Sequence, residues 1–139
     1  MNRYYIGRNT CSCTSFKQGD ILLVDFGRNE SGSRIGSRRP SIVVSNTEIL
    51  KNENILFVVP LYRQPSRGFM CGDIVIEPKD CRGLRYVQYL QPMQVKAIKK
   101  CRVVRAIGYI KNDDLKRNIV ATVQCLLSDE CGGILSVER

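Results

Sequence analysis

The chain has 139 residues, of which 43% are hydrophobic and 25% charged, a size and composition that fit one folded domain and argue against wholesale disorder. It carries 22 Lys and Arg against 13 Asp and Glu, a formal net charge of +9, so its surface should attract polyanions. It contains no histidine, which excludes the commonest general base and the usual serine and cysteine hydrolase triads.

The first half of the chain predicts short strands around a basic loop. Residues 1–16 are interpreted as an N-terminal extension ahead of a single domain, residues 17–139. Residues 21–26 form a β-rich run, and residues 27–39, rich in Gly, Ser and Arg, predict a flexible loop. Strands are then predicted at residues 42–44 and 55–61. The continuous apolar run at residues 55–61 is typical of a strand that is buried on both faces or lines a barrel.

The second half continues the strand pattern. Residues 73–77 alternate in hydrophobicity, which predicts Ile74 and Ile76 facing inward. Asp73 and Glu77 are then expected on a solvated face, and chelation of Mg²⁺ by these acids is the less favoured interpretation. Further strands at residues 86–90 and 103–110 bring the expected number to six or seven.

One helix is predicted near the C-terminus. Asn112 is a favourable N-cap, and two aspartates follow it at the positive end of the helix dipole. Leu115, Ile119, Val123 and Leu126 lie on one apolar stripe, and the helix is expected to end near residue 127. The sequence therefore predicts a mainly β fold, a small curled sheet or barrel covered by a C-terminal helix.

The seven cysteines and the lack of targeting signals predict a cytoplasmic protein with reduced thiols. The cysteine count is odd, no signal peptide is recognisable, and no apolar run approaches the roughly 20 residues of a membrane-spanning helix. Cys11 and Cys13 form only a CxC pair, and no CxxC pair or histidine completes a metal site. No Gly-rich phosphate loop is present. We therefore expect no metal, no cofactor and no membrane partner.

Basic residues and tyrosines supply the remaining candidate chemistry. Arginine binds phosphate oxygens through two parallel hydrogen bonds, and tyrosine rings stack on unpaired bases. A solvated basic surface is the alternative for any one of these residues. The candidates for phosphate contact include Arg34, Arg38, Arg39, Arg63, Arg67, Arg85 and Lys96, and the interleaved tyrosines are Tyr62, Tyr86 and Tyr89.

Several segments in the correct order resemble the MazF/PemK toxins. Residues 19–26, the Gly-Ser pair at 32–33 and residues 39–46 look like the opening of that family, with its Arg-Pro before an apolar strand. Residues 59–64 resemble the end of the family's next strand, and residues 89–98 resemble its Gln-Ile-Arg-Thr-Ile segment. The resemblance covers about residues 17–127 and includes the C-terminal helix.

The resemblance implies an SH3-like small β-barrel of the MazF/CcdB type, acting as a homodimer whose grooves bind single-stranded mRNA. It implies a metal-independent endoribonuclease in which the 2′-hydroxyl of the RNA attacks the adjacent phosphate. The products would carry a 2′,3′-cyclic phosphate and a 5′-hydroxyl. The implied partner is an antitoxin with an acidic flexible tail, and DNA is a further candidate partner reached through the toxin–antitoxin complex.

The resemblance also assigns roles to residues. Arg39 takes the position of the family's arginine before proline, which is expected to hold the scissile phosphate and stabilise its developing charge. The family's catalytic Thr or Ser aligns best with Tyr62, a bulkier group that can donate a hydrogen bond and act as a weak acid. Some members carry a Glu where this chain has Arg34, so the general base is unassigned. The expected RNA contacts are Arg34, Arg38, Arg63, Arg67, Arg85 and Lys96.

Two alternatives remain open at the level of the sequence. The related CcdB toxins share the barrel but bind DNA gyrase and cut no RNA. A catalytically inactive nucleic-acid-binding module would show salt-sensitive binding without products. The missing threonine and missing base favour these alternatives, whereas the basic loop that leads to Arg39 and Pro40 favours the ribonuclease.

Overall fold

A computed structural model describes residues 15–27, 38–68 and 71–130 of the chain. Almost all of the N-terminal extension, most of the basic loop with its Gly-Ser pair, and the C-terminal tail lie outside the described residues. The predicted RNA contact Arg34 lies outside them as well.

Short antiparallel strands make up most of the described fold. The strands are β1 (Asp20–Asp25), β2 (Arg38–Val43), β3 (Ile55–Tyr62), β4 (Ile74–Ile76), β5 (Cys81–Arg82), β6 (Gln88–Leu90), β7 (Lys96–Lys99) and β8 (Val103–Ile110). Neighbouring strands pair in the order β4-β6-β3-β2-β1-β8-β5, and β7 pairs with β3 beside this path. The result is a nearly closed barrel, which confirms the prediction of a mainly β fold with a C-terminal helix.

Strand β2 begins earlier than the sequence predicts, and strands β5 and β7 were not predicted. Strand β2 begins at Arg38 rather than after Pro40, because Arg38 and Arg39 continue the pairing with β1. Strand β7 was not predicted, since Ile98 is its only buried residue and lysines stand at both its ends. Strand β5 is only two residues long. An added Cβ at Gly108 would lie 1.8 Å from the carbonyl oxygen of Arg82, so the contact between β5 and β8 requires a glycine there.

The two faces of the sheet bury separate apolar clusters. Along β1, Leu22 contributes to a first core and its neighbour Ile21 to a second. Along β3, Val58 and Val59 divide in the same way. Burial on both faces explains the continuous apolar runs of these strands. Each fully buried Leu or Ile side chain stabilises the fold by roughly 1.5–3 kcal/mol.

The C-terminal helix α2 (Asp113–Cys125) covers the second core. The side-chain oxygen of Asn112 accepts hydrogen bonds from the backbone N–H groups of Asp114 and Leu115, which confirms the predicted N-cap. Ile119 is buried in the second core, and Leu115 and Val123 pack against it. The predicted apolar stripe therefore docks the helix on the barrel.

A second helix was not predicted. Helix α1 (Thr47–Leu50) forms a single turn, whose N-terminal backbone N–H groups donate to the side chain of Asn46. Lys100 is buried and donates from Nζ to the carbonyl oxygen of Leu50 at 2.6 Å, at the C-terminal end of this turn. The lysine thus satisfies a helix-terminal carbonyl instead of joining a basic surface.

The cysteines depart from the sequence prediction at one position. Cys71 and Cys81 are buried free thiols, and Cys101 is an exposed one. Cys125 is disulfide-bonded, so the prediction of reduced cysteines is wrong there. Among the described residues, no helix is long and apolar enough to cross a membrane.

Candidate active site

Strand register brings one row of side chains together across four strands. Ser41 of β2 pairs with Pro60 of β3, and continuing this register by two residues places Arg39 opposite Tyr62. Tyr62 pairs with Tyr89 of β6, and Tyr89 with Val75 of β4. Because residues opposite one another project from the same face of a sheet, these four side chains form a continuous row.

The arginine of this row lies against an aromatic ring. The guanidinium carbon of Arg39 is 4.4 Å from the centroid of the Tyr62 ring. In such a cation–π contact, the flat face of the guanidinium packs against the ring. None of the hydrogen bonds or ion pairs among the described residues engages the guanidinium N–H groups. Arg39 is therefore positioned with its donors available to an anion.

A second row lies beside the first and is held by a buried glutamine. The pairing of Ile74 with Leu90 continues by one residue to place Asp73 opposite Gln91. Gln91 is only 2% exposed, and its amide nitrogen donates to Asp73 Oδ1 at 3.2 Å and to the Cys71 carbonyl oxygen at 2.7 Å. The Gln91 oxygen in turn accepts from a backbone N–H at 3.0 Å. These contacts fix the orientation of the Gln91 amide.

The loop after β3 also donates hydrogen bonds to the Asp73 carboxylate. Ser66 donates its backbone N–H to Asp73 Oδ2 at 2.7 Å and its hydroxyl to Asp73 Oδ1 at 2.5 Å. The Gln91 amide nitrogen also lies 3.2 Å from the Ser66 hydroxyl oxygen. These three residues, named here the Ser66–Asp73–Gln91 cluster, tie the loop to the start of β4.

Both rows border one cleft of about 490 Å³. Of the described residues that line it, two arginines supply positive charge and one carboxylate supplies negative charge, while tyrosine rings and side-chain amides supply flat and polar surfaces. The cleft is therefore suited to a ligand that carries anionic, polar and planar groups. Its lining residues are Arg39, Tyr62, Arg63, Gln64, Pro65, Ser66, Asp73, Tyr89, Gln91 and Gln94.

The structure brings three of the sequence-predicted site residues together. Arg39, Tyr62 and Arg63 all line the cleft. Arg63 also stacks on the neighbouring Tyr86, with its guanidinium carbon 4.0 Å from the ring centroid. This second stacked arginine is exposed at the edge of the cleft.

The other predicted RNA contacts among the described residues lie outside the cleft lining. Arg38, the first residue of β2, is paired with Asp25, with 3.7 Å between Nε and Oδ2. Arg67, Arg85 and Lys96 are exposed, and none of them lines the cleft. They remain candidates for contacts with a longer ligand that extends beyond it.

Sequence reasoning missed the Ser66–Asp73–Gln91 cluster. The prediction that Asp73 belongs to a solvated strand face is wrong, since its carboxylate accepts three hydrogen bonds and borders the cleft. The available signal for the cluster was Gln91, which lies between a buried strand and Pro92, because a buried amide requires hydrogen-bond partners.

Two buried thiols of the described residues are poor nucleophiles. Burial raises the pKa of Cys71, and the negative charge of Asp73 raises it further. Burial, followed by the charge of Asp80, raises the pKa of Cys81 to about 11, although Lys111 partly opposes this. Both thiols are thus protonated at neutral pH, which removes their nucleophilic form. Within the described part of the chain, no group of three or more Cys, Asp or Glu is arranged to hold a metal ion.

Together, the fold and the cleft define a small, basic antiparallel β-barrel protein with a positioned arginine at an anion-accepting site. The chain belongs to the PemK-like, MazF-like toxin family of type II toxin–antitoxin systems, whose model matches residues 17–124. No curated protein sequence matches the chain.

Solved structures of this family share the fold at low sequence identity. The Mycobacterium tuberculosis toxin MazF-mt6 is 14% identical, with a TM-score of 0.57 over 86% of this chain and 99% of its own. A MazE-MazF structure from Deinococcus radiodurans is 15% identical, with a TM-score of 0.62 over 81% and 96% of the two chains. An endoribonuclease in complex with its cognate antitoxin, from a Mycobacterial species, is 14% identical, with a TM-score of 0.58 over 90% and 97%.

Proposed function

We propose that this toxin is a metal-independent endoribonuclease that cleaves single-stranded RNA through attack of the 2′-hydroxyl on the adjacent phosphate. The observation that carries the proposal is the Arg39 guanidinium, which is stacked on Tyr62 in the cleft and donates no hydrogen bond to the described residues. A reaction whose nucleophile comes from the RNA requires positioning and charge stabilisation more than a protein nucleophile. This requirement agrees with a chain that has no histidine.

Single-stranded RNA fits the mixture of groups in and around the cleft. Tyr62 and Tyr89 are neighbours in one row, and aromatic rings stack on unpaired bases without demanding a particular sequence. The net charge of +9 draws the polyanion to the surface. The basic residues proposed to contact phosphates along its path are Arg34, Arg38, Arg63, Arg67, Arg85 and Lys96.

In the proposed reaction, Arg39 holds the scissile phosphate and stabilises the charge that develops on its oxygens. Hydrogen bonds aimed at that charge act most strongly at the transition state. The Tyr62 phenol lies directly beneath the guanidinium and supplies a proton to the departing 5′-oxygen. Neither role requires a metal or a cofactor.

The proposed partners follow from the related structures. One of these holds MazE with MazF, and another holds an endoribonuclease with its cognate antitoxin. We propose that an antitoxin with an acidic flexible tail covers the cleft of this toxin, and that the toxin is a homodimer. The surplus of basic residues provides the matching charge. DNA is proposed as a further partner of the toxin–antitoxin complex.

The test is cleavage of a mixed-sequence RNA in excess EDTA by three proteins: wild type, Arg39→Ala and Arg105→Ala. Arg105 is an exposed arginine of β8 that does not line the cleft, so its variant is a control for the loss of one positive charge. We expect discrete fragments at similar rates from the wild type and from Arg105→Ala, and cleavage slowed by roughly 10²–10³-fold in Arg39→Ala.

Two other results would change the proposal. If Arg39→Ala cleaved as fast as wild type, the ribonuclease activity would stand without the assigned residue. Intact RNA with the wild-type protein, over a range of substrates, would contradict the ribonuclease. A DNA supercoiling assay with gyrase would then separate the gyrase-binding alternative from an inactive nucleic-acid-binding module.

A further inference from the structure

We propose that Asp73 is the general base that removes the proton from the attacking 2′-hydroxyl, an inference that rests on the proposed function. The sequence left this role unassigned, since Arg34 stands where some relatives carry a glutamate. Among the described residues that line the cleft, Asp73 is the one carboxylate, and it shares this cleft with Arg39.

The carboxylate and the arginines of the cleft do not neutralise one another. No ion pair of the described residues joins Asp73 to Arg39 or to Arg63, although all three line the same cleft. The cation and the carboxylate are therefore both available to one ligand in the cleft. The cleft thus has a side that accepts negative charge and a side that accepts a proton.

Hydrogen bonds from the described residues orient the Asp73 carboxylate and leave one of its acceptor positions free. Two carboxylate oxygens offer about four lone-pair positions. Ser66 N–H occupies one on Oδ2, whereas the Ser66 hydroxyl and the Gln91 amide occupy two on Oδ1. The remaining position lies on Oδ2. Because Gln91 is itself fixed by the Cys71 carbonyl and by Met93 N–H, Asp73 has little freedom to turn away.

The proposed step balances within the RNA and two side chains. The 2′-oxygen gives its proton to Asp73 Oδ2 and forms a bond to phosphorus, and the bond between phosphorus and the 5′-oxygen breaks. The departing 5′-oxygen takes a proton from Tyr62. The products are a 2′,3′-cyclic phosphate and a 5′-hydroxyl, and proton exchange with water restores both side chains. No other reactant is consumed.

A purely structural role for Asp73 predicts a different outcome. The carboxylate ties the loop at Ser66 to the strand at Gln91, so its loss could loosen the cleft. Loosening would weaken RNA binding and cleavage together and would lower the thermal midpoint. Loss of a base instead slows cleavage while binding persists, because removing a negative charge from a phosphate-binding cleft favours the polyanion.

The experiment compares wild type, Asp73→Asn and Glu77→Gln as full-length proteins. Asparagine keeps the shape of Asp73, and Glu77→Gln removes the same charge at the other end of β4, outside the cleft. Single-turnover cleavage rates are measured in EDTA between about pH 4.5 and 8.5. The Kd is measured with the same RNA carrying a 2′-deoxy nucleotide at the scissile position. Thermal midpoints are recorded for all three proteins.

For Asp73→Asn we expect a rate loss of roughly 10²–10⁴-fold, a Kd that is equal or tighter, and loss of the acid limb of the rate profile. Glu77→Gln should match wild type in all three measurements. A wild-type rate in Asp73→Asn would overturn the inference and leave the ribonuclease intact. A parallel fall in rate, affinity and thermal midpoint, or a changed cleavage sequence at an unchanged rate, would overturn it too. If wild type cuts no RNA, the proposed function and this inference fail together.

Discussion

One face of the sheet serves two purposes along the same pair of strands. Where Val43 of β2 pairs with Val58 of β3, both side chains are fully buried in the first core. Four residues further along each strand, Arg39 and Tyr62 line the cleft. We name these the core end and the cleft end. The pairing register of β2 and β3 therefore positions the site, and side-chain packing at the core end stabilises that register.

The largest expected effect is on catalysis at the cleft end. Arg39→Ala should lower the single-turnover rate by roughly 10²–10³-fold, the loss that follows removal of one donor to developing negative charge. Stability should change little, since the arginine makes no hydrogen bond or ion pair with the described residues. Arg39→Lys should restore only part of the rate, because lysine lacks the planar fork that stacks and binds phosphate. Equal rates for Lys and Arg would contradict the stacked geometry.

The matching change at the core end should affect stability. Leu56→Ala removes a fully buried side chain of the first core and should lower the free energy of unfolding by roughly 2–5 kcal/mol. The cleavage rate per folded molecule should stay near that of wild type. Urea unfolding followed by circular dichroism measures the first quantity, and rates corrected for the folded fraction measure the second. A large rate loss in the folded protein would show that the two ends are not separable.

Gln91 lies between the two ends and should show both effects at smaller size. Gln91→Ala leaves buried partners without their hydrogen bonds, which should cost about 1–3 kcal/mol of stability. The freed carboxylate of Asp73 should also slow cleavage, though less than Arg39→Ala does. Unfolding and single-turnover experiments on the same preparation test this. Loss of stability with a fully wild-type rate would mean that the amide does not position the carboxylate.

Outside the cleft, the expected effect is confined to affinity. Arg67→Ala should weaken binding of single-stranded RNA about equally for all sequences and reduce the slope of log K against log salt by about 0.7. Kd values at several salt concentrations measure this, with Arg105→Ala as the control. An unchanged slope would mean that Arg67 touches no phosphate.

The smallest expected effect concerns the buried thiol of Cys81. Its folded pKa of about 11 lies above the ordinary thiol value of about 8.5, so folding favours the protonated form. The stability that this contributes is fully present below pH about 8.5 and is lost as the pH rises toward 11. Cys81→Ala should flatten this alkaline loss in urea titrations. An alkaline loss of the same size in the variant would assign it to other groups.

The core end was largely predictable from the sequence, and the reason is periodicity. In the run at residues 55–61 and in the stripe through Ile119, the spacing of the apolar residues itself predicts that they are buried. Strand β7 was missed because Ile98 is its only buried side chain. The role of Lys100 was not predictable because its partner, the Leu50 carbonyl, is 50 residues away in the chain.

The cleft end was predictable only in part. Arg39 and Tyr62 were reached through the resemblance, whereas their stacking follows from the register of β2 and β3. Within the Ser66–Asp73–Gln91 cluster, contacting residues are separated by 7, 18 and 25 positions. No local pattern encodes such contacts. They arise when β4 and β6 pair and the loop after β3 folds over them.

The most direct test of the account is the chemistry of the product ends. Two RNAs should be compared in excess EDTA, one with a ribose at the scissile position and one with a 2′-deoxy nucleotide there. We predict that the wild-type protein cuts only the RNA with a ribose at the scissile position and leaves a 2′,3′-cyclic phosphate and a 5′-hydroxyl. Cleavage of the 2′-deoxy RNA, or a 5′-phosphate on the product, would contradict attack by the 2′-hydroxyl and the reaction proposed for this cleft.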